Sequence, residues 1–372
     1  MSEHTVLTDE PTESPTGVNG RGLEVVVLIV AFNGREYLPE CLDSVLASDD
    51  GQIIRHVVVV DNASTDGTAQ WLAGHYPEVQ VVRSGENLGF AGGNNLGWSR
   101  VALAYPDVDY VALLNQDTIV ANGWLKPLVA YLFDHPIAGA AQPRIVLHPQ
   151  TDLLNTAGNV SHFLGFGYTT GYREPDNGNY QTVRTIDFAS GAAALIRAAP
   201  LRRAGLFNES MFLYLEDAEL GWKLRQLGYE TVFVPQSVAY HKYKFHGPFR
   251  AYFFLERNRW MLLGSYYKTA TLLLLAPAAL AMECGQIIFS LQHGLLDQKL
   301  RACGYFLNRR NLAALLRNRR AAQSRRIVGD RQFMGGFSGA VNNPELDSKL
   351  LRRVGNPLLS LYWRCVRRLI VW

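Results

Sequence analysis

From Glu24 the polar leader gives way to an unbroken apolar run, VVVLIVAFN, the pattern of a strand buried on both faces. Apolar positions then recur at helical spacing from about Glu36 to Ala47, with Leu38, Cys41, Leu42, Val45 and Leu46 on one side. IIRHVVVV predicts a second buried strand ending on Asp61. A helix is expected from Asp66 to about Gly74, VQVVRS predicts a third strand, and a helix over Gly93–Ala104 leads to a fourth, YVALLN, ending at Asn115. Strands alternating with helices at this spacing predict an α/β fold, a mostly parallel sheet flanked by helices, with ligands at the carboxyl ends of the strands. Three polar clusters stand at those ends: Phe32-Asn33, DNASTDGT and NQDT.

Beyond Trp124 the pattern loosens. A helix from about Trp124 to Phe133 precedes a Gly/Tyr/Asn-rich stretch between His148 and Tyr180, expected to form hairpins and loops. A small-residue strand, FASGAAALI, and an amphipathic helix, EDAELGWKLRQLG, follow, the helix closed by Gly228. ETVFVP and the polar AYHKYKFHGP finish the first domain near Pro248.

The run from Lys268 to Gln292 is long enough to span a bilayer, but Pro277, Glu283 and Gln286 argue for buried or interfacial helices instead. Charge changes the picture here. The formal net charge of +3 hides an asymmetry, because arginines crowd the region after Lys299. RNRRAAQSRRIVGDR and LYWRCVRRLIVW interleave arginine with aliphatic and aromatic residues, which suits docking on an anionic membrane, a solvated face or a contact in a homo-oligomer. No nucleic-acid-binding module accompanies the charge, so no nucleic acid is expected as partner. The four cysteines form no cluster, which fits a reducing cytoplasm, and the first 22 residues have the composition of a disordered leader.

Four side chains carry candidate chemistry. Asp61 closes a buried strand, where a carboxylate can accept from the N3–H of a uracil or thymine ring. Asp66 in the same loop is a candidate helix N-cap. Asp117 emerges from an apolar strand as one hard-cation ligand, with water and a diphosphate able to supply the rest. Asp217 follows the apolar FLYL, a partly dry setting that suits a general base as well as a first-turn helix acid. His241, grouped with Lys242, Lys244 and His246, is a candidate for metal or diphosphate.

VVLIVAFN, VVVVDNASTDGT, ENLGFAGGNNLG, LLNQDT, FASGAAALIR, FLYLEDAELGWKLRQLGY and FFLERNRW, in that order, resemble the family-2 inverting glycosyltransferases of GT-A fold, particularly the rhamnosyltransferase-like branch. The resemblance implies a catalytic domain over residues 23–250, with donor half 23–120 and acceptor half 121–250, and a C-terminal helical region over 251–372. It implies that Asp61 holds the donor base, with Phe32 and Asn33 lining that pocket, Asn94 in a donor-side loop and Gln116 beside it. Asp117 would bind Mg2+ or Mn2+, completed by His241, and Asp217 would be the catalytic base. It further implies a nucleotide-sugar donor (dTDP-rhamnose or a UDP-sugar), a glycan or polyprenyl-diphosphate-linked acceptor, and a place at the inner face of the cell membrane.

Two positions depart from the family pattern. The DxD element reads Asn115-Gln116-Asp117, and ERNRW has glutamate where processive synthases carry the glutamine of QxxRW, so a processive synthase is not expected. The rival readings are a catalytically silent sugar-nucleotide-binding scaffold and a UDP-hexose or UDP-galactofuranose transferase. A dinucleotide oxidoreductase is excluded, since no GxGxxG follows the first strand.

Overall fold

A computed structural model describes residues 21–243, 248–342, 349 and 351–372. The leader up to residue 20, and Lys244 and His246, lie outside the described residues. The first half is β1 (Glu24–Ala31), α1 (Leu38–Ala47), β2 (Ile54–Asp61), α2 (Thr68–His75), β3 (Gln80–Arg83), α3 (Gly89–Ala104) and β4 (Tyr110–Asn115). β1 pairs in parallel with both β2 and β4, and β2 with β3. Strand alternation divides β1 between two cores. Val25, Val27 and Ile29 pack toward α1, whereas Val26 and Leu28 pack toward α3.

α3 starts four residues earlier than its sequence pattern predicts, and its glycines explain both its start and its closeness to the sheet. Gly89 turns the chain at φ 70°, and a Cβ on Gly97 would lie 2.4 Å from Leu28 Cδ1 and 2.9 Å from Val60 Cγ2. Such a helix carries little amphipathic signal, because small residues face the sheet.

The second half comprises β5 (Thr118–Val120), α4 (Leu125–Asp134), β6 (Ala138–Leu147), β7 (Leu154–Thr156), β8 (Asn159–Ser161), β9 (Gly167–Thr169), β10 (Arg184–Ile186), β11 (Ala193–Arg197), α5 (Ala198–Ala204), α6 (Glu216–Gln226) and β12 (Glu230–His241). Past β4 the sheet becomes mixed, in the order β4-β11-β6-β12-β10, with β11 antiparallel to both neighbours. α6 ends at Gln226 with Leu227 as its C-cap, and Gly228, expected as the cap, lies one residue beyond at φ 83°. β12 is long enough to pair with β6 and then, at its far end, with β5, where His241 stands opposite Thr118.

The chain continues through α7 (Pro248–Tyr266), α8 (Thr269–Gln292), α9 (Leu296–Gly304), α10 (Arg309–Arg325), α11 (Asp330–Phe333) and α12 (Asn356–Leu369). Phe188 and Trp222 from the sheet-and-helix region share one core with Tyr267, Phe333, Phe337 and Trp363 of this region. Of the buried or interfacial helices expected over Lys268–Gln292, the buried alternative is corrected. α8 is one continuous 24-residue helix through Pro277, apolar and long enough to cross a membrane, with half of its residues exposed. Glu283, whose charge argued against a span, faces the protein: it pairs with Arg259 and Lys299, both fully buried.

Candidate active site

The ends of β1, β2 and β4 are laced together by the polar residues that the sequence singles out. Asn33, at φ 48°, receives the Thr65 backbone N–H on Oδ1 at 2.8 Å, and its own N–H donates to Ser64 Oγ at 3.0 Å. Gln116 Oε1 accepts the Phe32 N–H at 2.9 Å, so this side chain ties the β4 end to the β1 end. The Phe32 ring is left exposed. Asp61 is buried, and its Oδ1 receives the Ser64 N–H at 3.1 Å. A groove of about 520 Å3 opens alongside, lined by Arg35, Ser64, Thr65, Trp71, His75 and Arg83.

Two placements differ from expectation. Asn94 lies within α3 and not in a loop; it is buried, and its Nδ2 donates back to the Phe90 carbonyl one turn earlier. The buried side chain that joins this corner is Asn62, which donates to Asn87 Oδ1 and Gly89 O and accepts from Leu88 N–H. Asp66 stands one residue ahead of the N-cap of α2, which is Gly67 at φ 81°; its carboxylate accepts the N–H groups of Thr68 and Arg35, which hold it ionised below the usual carboxylate range against the opposing effect of burial.

Asp117 and His241 meet because β5 pairs with the end of β12. His241 Nε2 lies 3.3 Å from Asp117 Oδ1, and the Lys242 N–H donates to the Asp117 carbonyl at 3.0 Å. On the other side of the ring, Nδ1 lies 3.0 Å from Oδ1 of the buried Asn155 in β7. An amide oxygen only accepts, so Nδ1 is the donor there, and Nε2 faces the carboxylate with the Asn115 side-chain nitrogen 3.5 Å away. A cation between Nε2 and the carboxylate would bind both. The described residues hold no cluster of three or more His, Cys, Asp or Glu, so a divalent ion would have these two protein ligands and take its others from a bound diphosphate or water. Lys242 is spoken for by Glu40 at 2.6 Å. Nothing in the sequence points to Asn155, which lies in the stretch expected to be loop.

Asp217 sits in the first turn of α6 and is partly buried, backed by an apolar void lined by Leu113, Ala194, Phe207 and Leu220. Burial pushes its carboxyl up to about 6, against the opposing pull of N–H donors from Ala218 and Gly191. Its neighbour Glu216 is fully enclosed, and burial together with the Asp217 charge drives its pKa well upward. The same 190–192 segment that reaches Asp217 also reaches β4: Ala192 O accepts from the N–H of Asn115 at 3.0 Å. The base candidate and the Asp117 corner therefore flank one short loop.

The lead-in to Asp217 is strained. Phe212 (φ 60°, ψ −61°) centres a γ-turn closed by Leu213 N–H to Met211 O, and Tyr214 and Leu215 also have positive φ. α7 holds this segment. Arg257 donates to Ser210 O and Met211 O, and Asn258 to Met211 O, Leu213 O and Tyr214 O. The next residue, the fully buried Arg259, pairs with Glu256 and Glu283, which also pair with the buried Lys299. The signal was there in ERNRW, four consecutive polar residues inside an otherwise apolar helix, but its purpose was not.

A parallel half-sheet joined to a mixed half, with carboxylates at the junction, defines a GT-A glycosyltransferase fold. The solved structure of GalNAc-T7 with UDP, GalNAc and Mn2+ has that fold at a TM-score of 0.53 and 16% identity, covering 66% of this chain and 48% of the other. Residues 26–204 match the model for Glycosyl transferase family 2, and the chain is a glycosyltransferase that resembles this family and its rhamnosyltransferase-like branch. It is 27% identical over 240 residues to N-acetylglucosaminyl-diphospho-decaprenol L-rhamnosyltransferase of Mycobacterium tuberculosis, covering 58% of this chain and 75% of the relative. Rhamnosyltransferase WbbL of Escherichia coli is 25% identical over 257 residues, covering 65% and 91%.

Proposed function

We propose that this enzyme inverts the anomeric centre as it moves rhamnose from dTDP-rhamnose to a hydroxyl of a glycan carried on polyprenyl diphosphate, at the inner face of the cell membrane. The observation that carries the reading is the partly buried Asp217, raised to about 6, beside a loop shared with the Asp117–His241 pair. Asp61, with Phe32 exposed above it, would take the thymine ring, and the ties made by Asn33 and Gln116 would hold that pocket in shape. Asp117 and His241 would hold Mg2+ or Mn2+, which when bound neutralises charge on the diphosphate leaving group. Asp217 takes the proton of the acceptor hydroxyl. The oxygen forms its bond to the anomeric carbon as the carbon–phosphate oxygen bond breaks, and the electron pair leaves with the nucleoside diphosphate. The names of the two rhamnosyltransferase relatives support the choice of sugar and of a lipid-linked acceptor.

Nucleoside diphosphate release from dTDP-rhamnose, UDP-glucose, UDP-galactose, UDP-GlcNAc and GDP-mannose tests this, with Mg2+ or Mn2+ and then with EDTA. Release from dTDP-rhamnose, lost with EDTA and in Asp217→Asn and Asp117→Ala, is expected. Release from another donor alone overturns the sugar, and donor binding with no release even when lipid-linked acceptor is supplied overturns the enzyme mechanism.

A further inference from the structure

We propose that the C-terminal helices form a docking face for an anionic phospholipid bilayer, in which an arginine-lined cavity takes lipid phosphates and the bare side of α8 enters the apolar layer. This deepens the proposed function by naming how the enzyme meets a lipid-linked acceptor, and it rests on that reading only for its purpose. The cavity, about 420 Å3, lies between α11 and α12 and is lined by Arg331, Arg364, Arg367 and Arg368 around Met334 and Trp363. All four arginines are exposed, and among the described residues none of them pairs with a carboxylate. Asp330 also lines the hollow, but its carboxylate is held by Arg326, which leaves four guanidinium groups without a carboxylate partner to meet phosphate oxygens.

The stripe on α8 is the second, independent observation. Leu273 (71% exposed), Leu280 (68%), Ile288 (56%) and Leu291 (58%) line one side with Ile287 and the free Cys284, and no charged residue interrupts them. At a helical rise of 1.5 Å the stripe runs about 27 Å. Within the span of the stripe, Leu273 to Leu291, the residues Glu283, Gln286 and Ser290 lie toward the protein, as does Thr271 just before it. Thr271 and Ser290 are buried, Glu283 pairs with Arg259 and Lys299, and Gln286 accepts from the Tyr252 hydroxyl. A helix fixed to the protein along that side lies on a bilayer and does not cross it.

Cavity and stripe are joined. Thr271, one turn before the arginine-bearing wall meets α8, hydrogen-bonds buried Asp330 of α11 and receives the indole N–H of Trp372 at 2.9 Å, while Tyr362 of α12 donates to Leu274 O. α12 repeats the design on its own scale: exposed Leu358, Leu361 and Leu369 form one stripe, with Arg364 and Arg368 along its flank. Apolar stripe beside basic flank is the composition of an interfacial helix.

Co-sedimentation of the full chain, without sugar donor or acceptor, tests this with vesicles of phosphatidylcholine alone and of phosphatidylcholine mixed with phosphatidylglycerol. Binding is expected to the mixed vesicles only. Arg367→Gln with Arg368→Gln should weaken it about 30-fold, at a typical 1 kcal/mol per basic residue. Leu280→Ser with Ile288→Ser should also release the protein. All four changes are on exposed side chains, and unchanged thermal unfolding of the variants verifies their folding. Equal binding to both vesicle types, or full binding by the arginine variant, overturns the proposal. So does a solution dimer split by the Leu280→Ser pair, which would assign the stripe to a second copy. Thermal stabilisation by inorganic phosphate with no vesicle binding would assign the cavity to a free anion and overturn the lipid assignment. Because no sugar is present, vesicle binding survives a failure to find donor turnover, and turnover on a soluble acceptor survives a failure of vesicle binding.

Discussion

The side-chain nitrogen of Asn258 lies 2.7 Å from the carbonyl oxygen of Tyr214, a residue held at φ 69° in the strained lead-in to Asp217. One fully buried amide on α7 thus satisfies the backbone that sets the direction of the candidate base. Asn258→Ala would strip a hydrogen-bond partner from the carbonyls of Met211, Leu213 and Tyr214, at about 1–3 kcal/mol. Positive φ at Phe212, Tyr214 and Leu215 would then relax. Turnover is expected to fall at least about tenfold while the donor KM holds, because the donor pocket is built on other strand ends. Steady-state kinetics check it; a rise in donor KM with unchanged turnover would show that the lead-in does not orient the base.

Asp217 makes a prediction in which activity and stability move in opposite directions. Its carboxyl, raised to about 6 chiefly by burial, is protonated below that pH and unable to accept a proton. The acid limb of the rate profile should therefore fall near pH 6. For stability the sign is reversed. The unfolded carboxyl titrates near its ordinary value of 3.8, so between that pH and about 6 the folded state binds the extra proton. Stability conferred by the protonated form is then lost as pH rises through 6. Asp217→Asn, neutral at all pH, should abolish turnover yet resist urea better at pH 7.5 by about 1–2 kcal/mol, an amount discounted for partial exposure. Urea melts of parent and variant at pH 5 and 7.5 check it: the gap should shrink at the lower pH.

Asn155 touches no carboxylate, yet it decides which nitrogen of His241 carries the proton. Its replacement by alanine frees the ring to turn and to adopt the other tautomer. If His241 and Asp117 share a divalent ion, Asn155→Ala should raise the Mn2+ concentration for half-maximal activity about 10–100-fold, the usual cost of losing such an orienting partner. The maximal rate at saturating metal should change far less. A metal titration of the variant checks it, and an unchanged midpoint would remove His241 from the metal's ligands.

The sequence made the strand ends legible because the apolar runs are long and each stops on a polar residue: Asp61, Asn115 and Asp117 are found without a structure. It also exposed Asp217, through FLYL. It did not reveal α3 correctly, since GFAGGNN has too few apolar side chains to show a period, and helix packing there depends on missing side chains. It could not reveal Asn155 or Asn258 as partners of His241 and Tyr214, because those contacts join segments separated by 86 and 44 positions. For α8 the sequence leaves buried and interfacial placements both open for a related reason: composition shows that a helix is apolar but not which side of it the protein covers.

Gly97 tests the claim that α3 is defined by what it lacks. Gly97→Ala gains about 1 kcal/mol of helix propensity. Against this, the new methyl would sit 2.4 Å from Leu28 Cδ1 and 2.9 Å from Val60 Cγ2. Both neighbours are fully buried in adjacent parallel strands and have nowhere to retreat, so overpacking at about 1–3 kcal/mol outweighs the propensity gain. The variant is expected to unfold at lower urea with an unchanged m-value. α3 also carries Gly89 and Ala91, which touch the Phe212 turn through contacts with Phe212 O, so an outward shift of the helix would reach the Asp217 lead-in. Turnover should therefore fall along with stability. Pairing Gly97→Ala with Leu28→Val, which removes the nearer of the two clashes, should restore part of both, and a double variant no better than the single would show that the close approach of α3 to β1 is not what the glycine supplies.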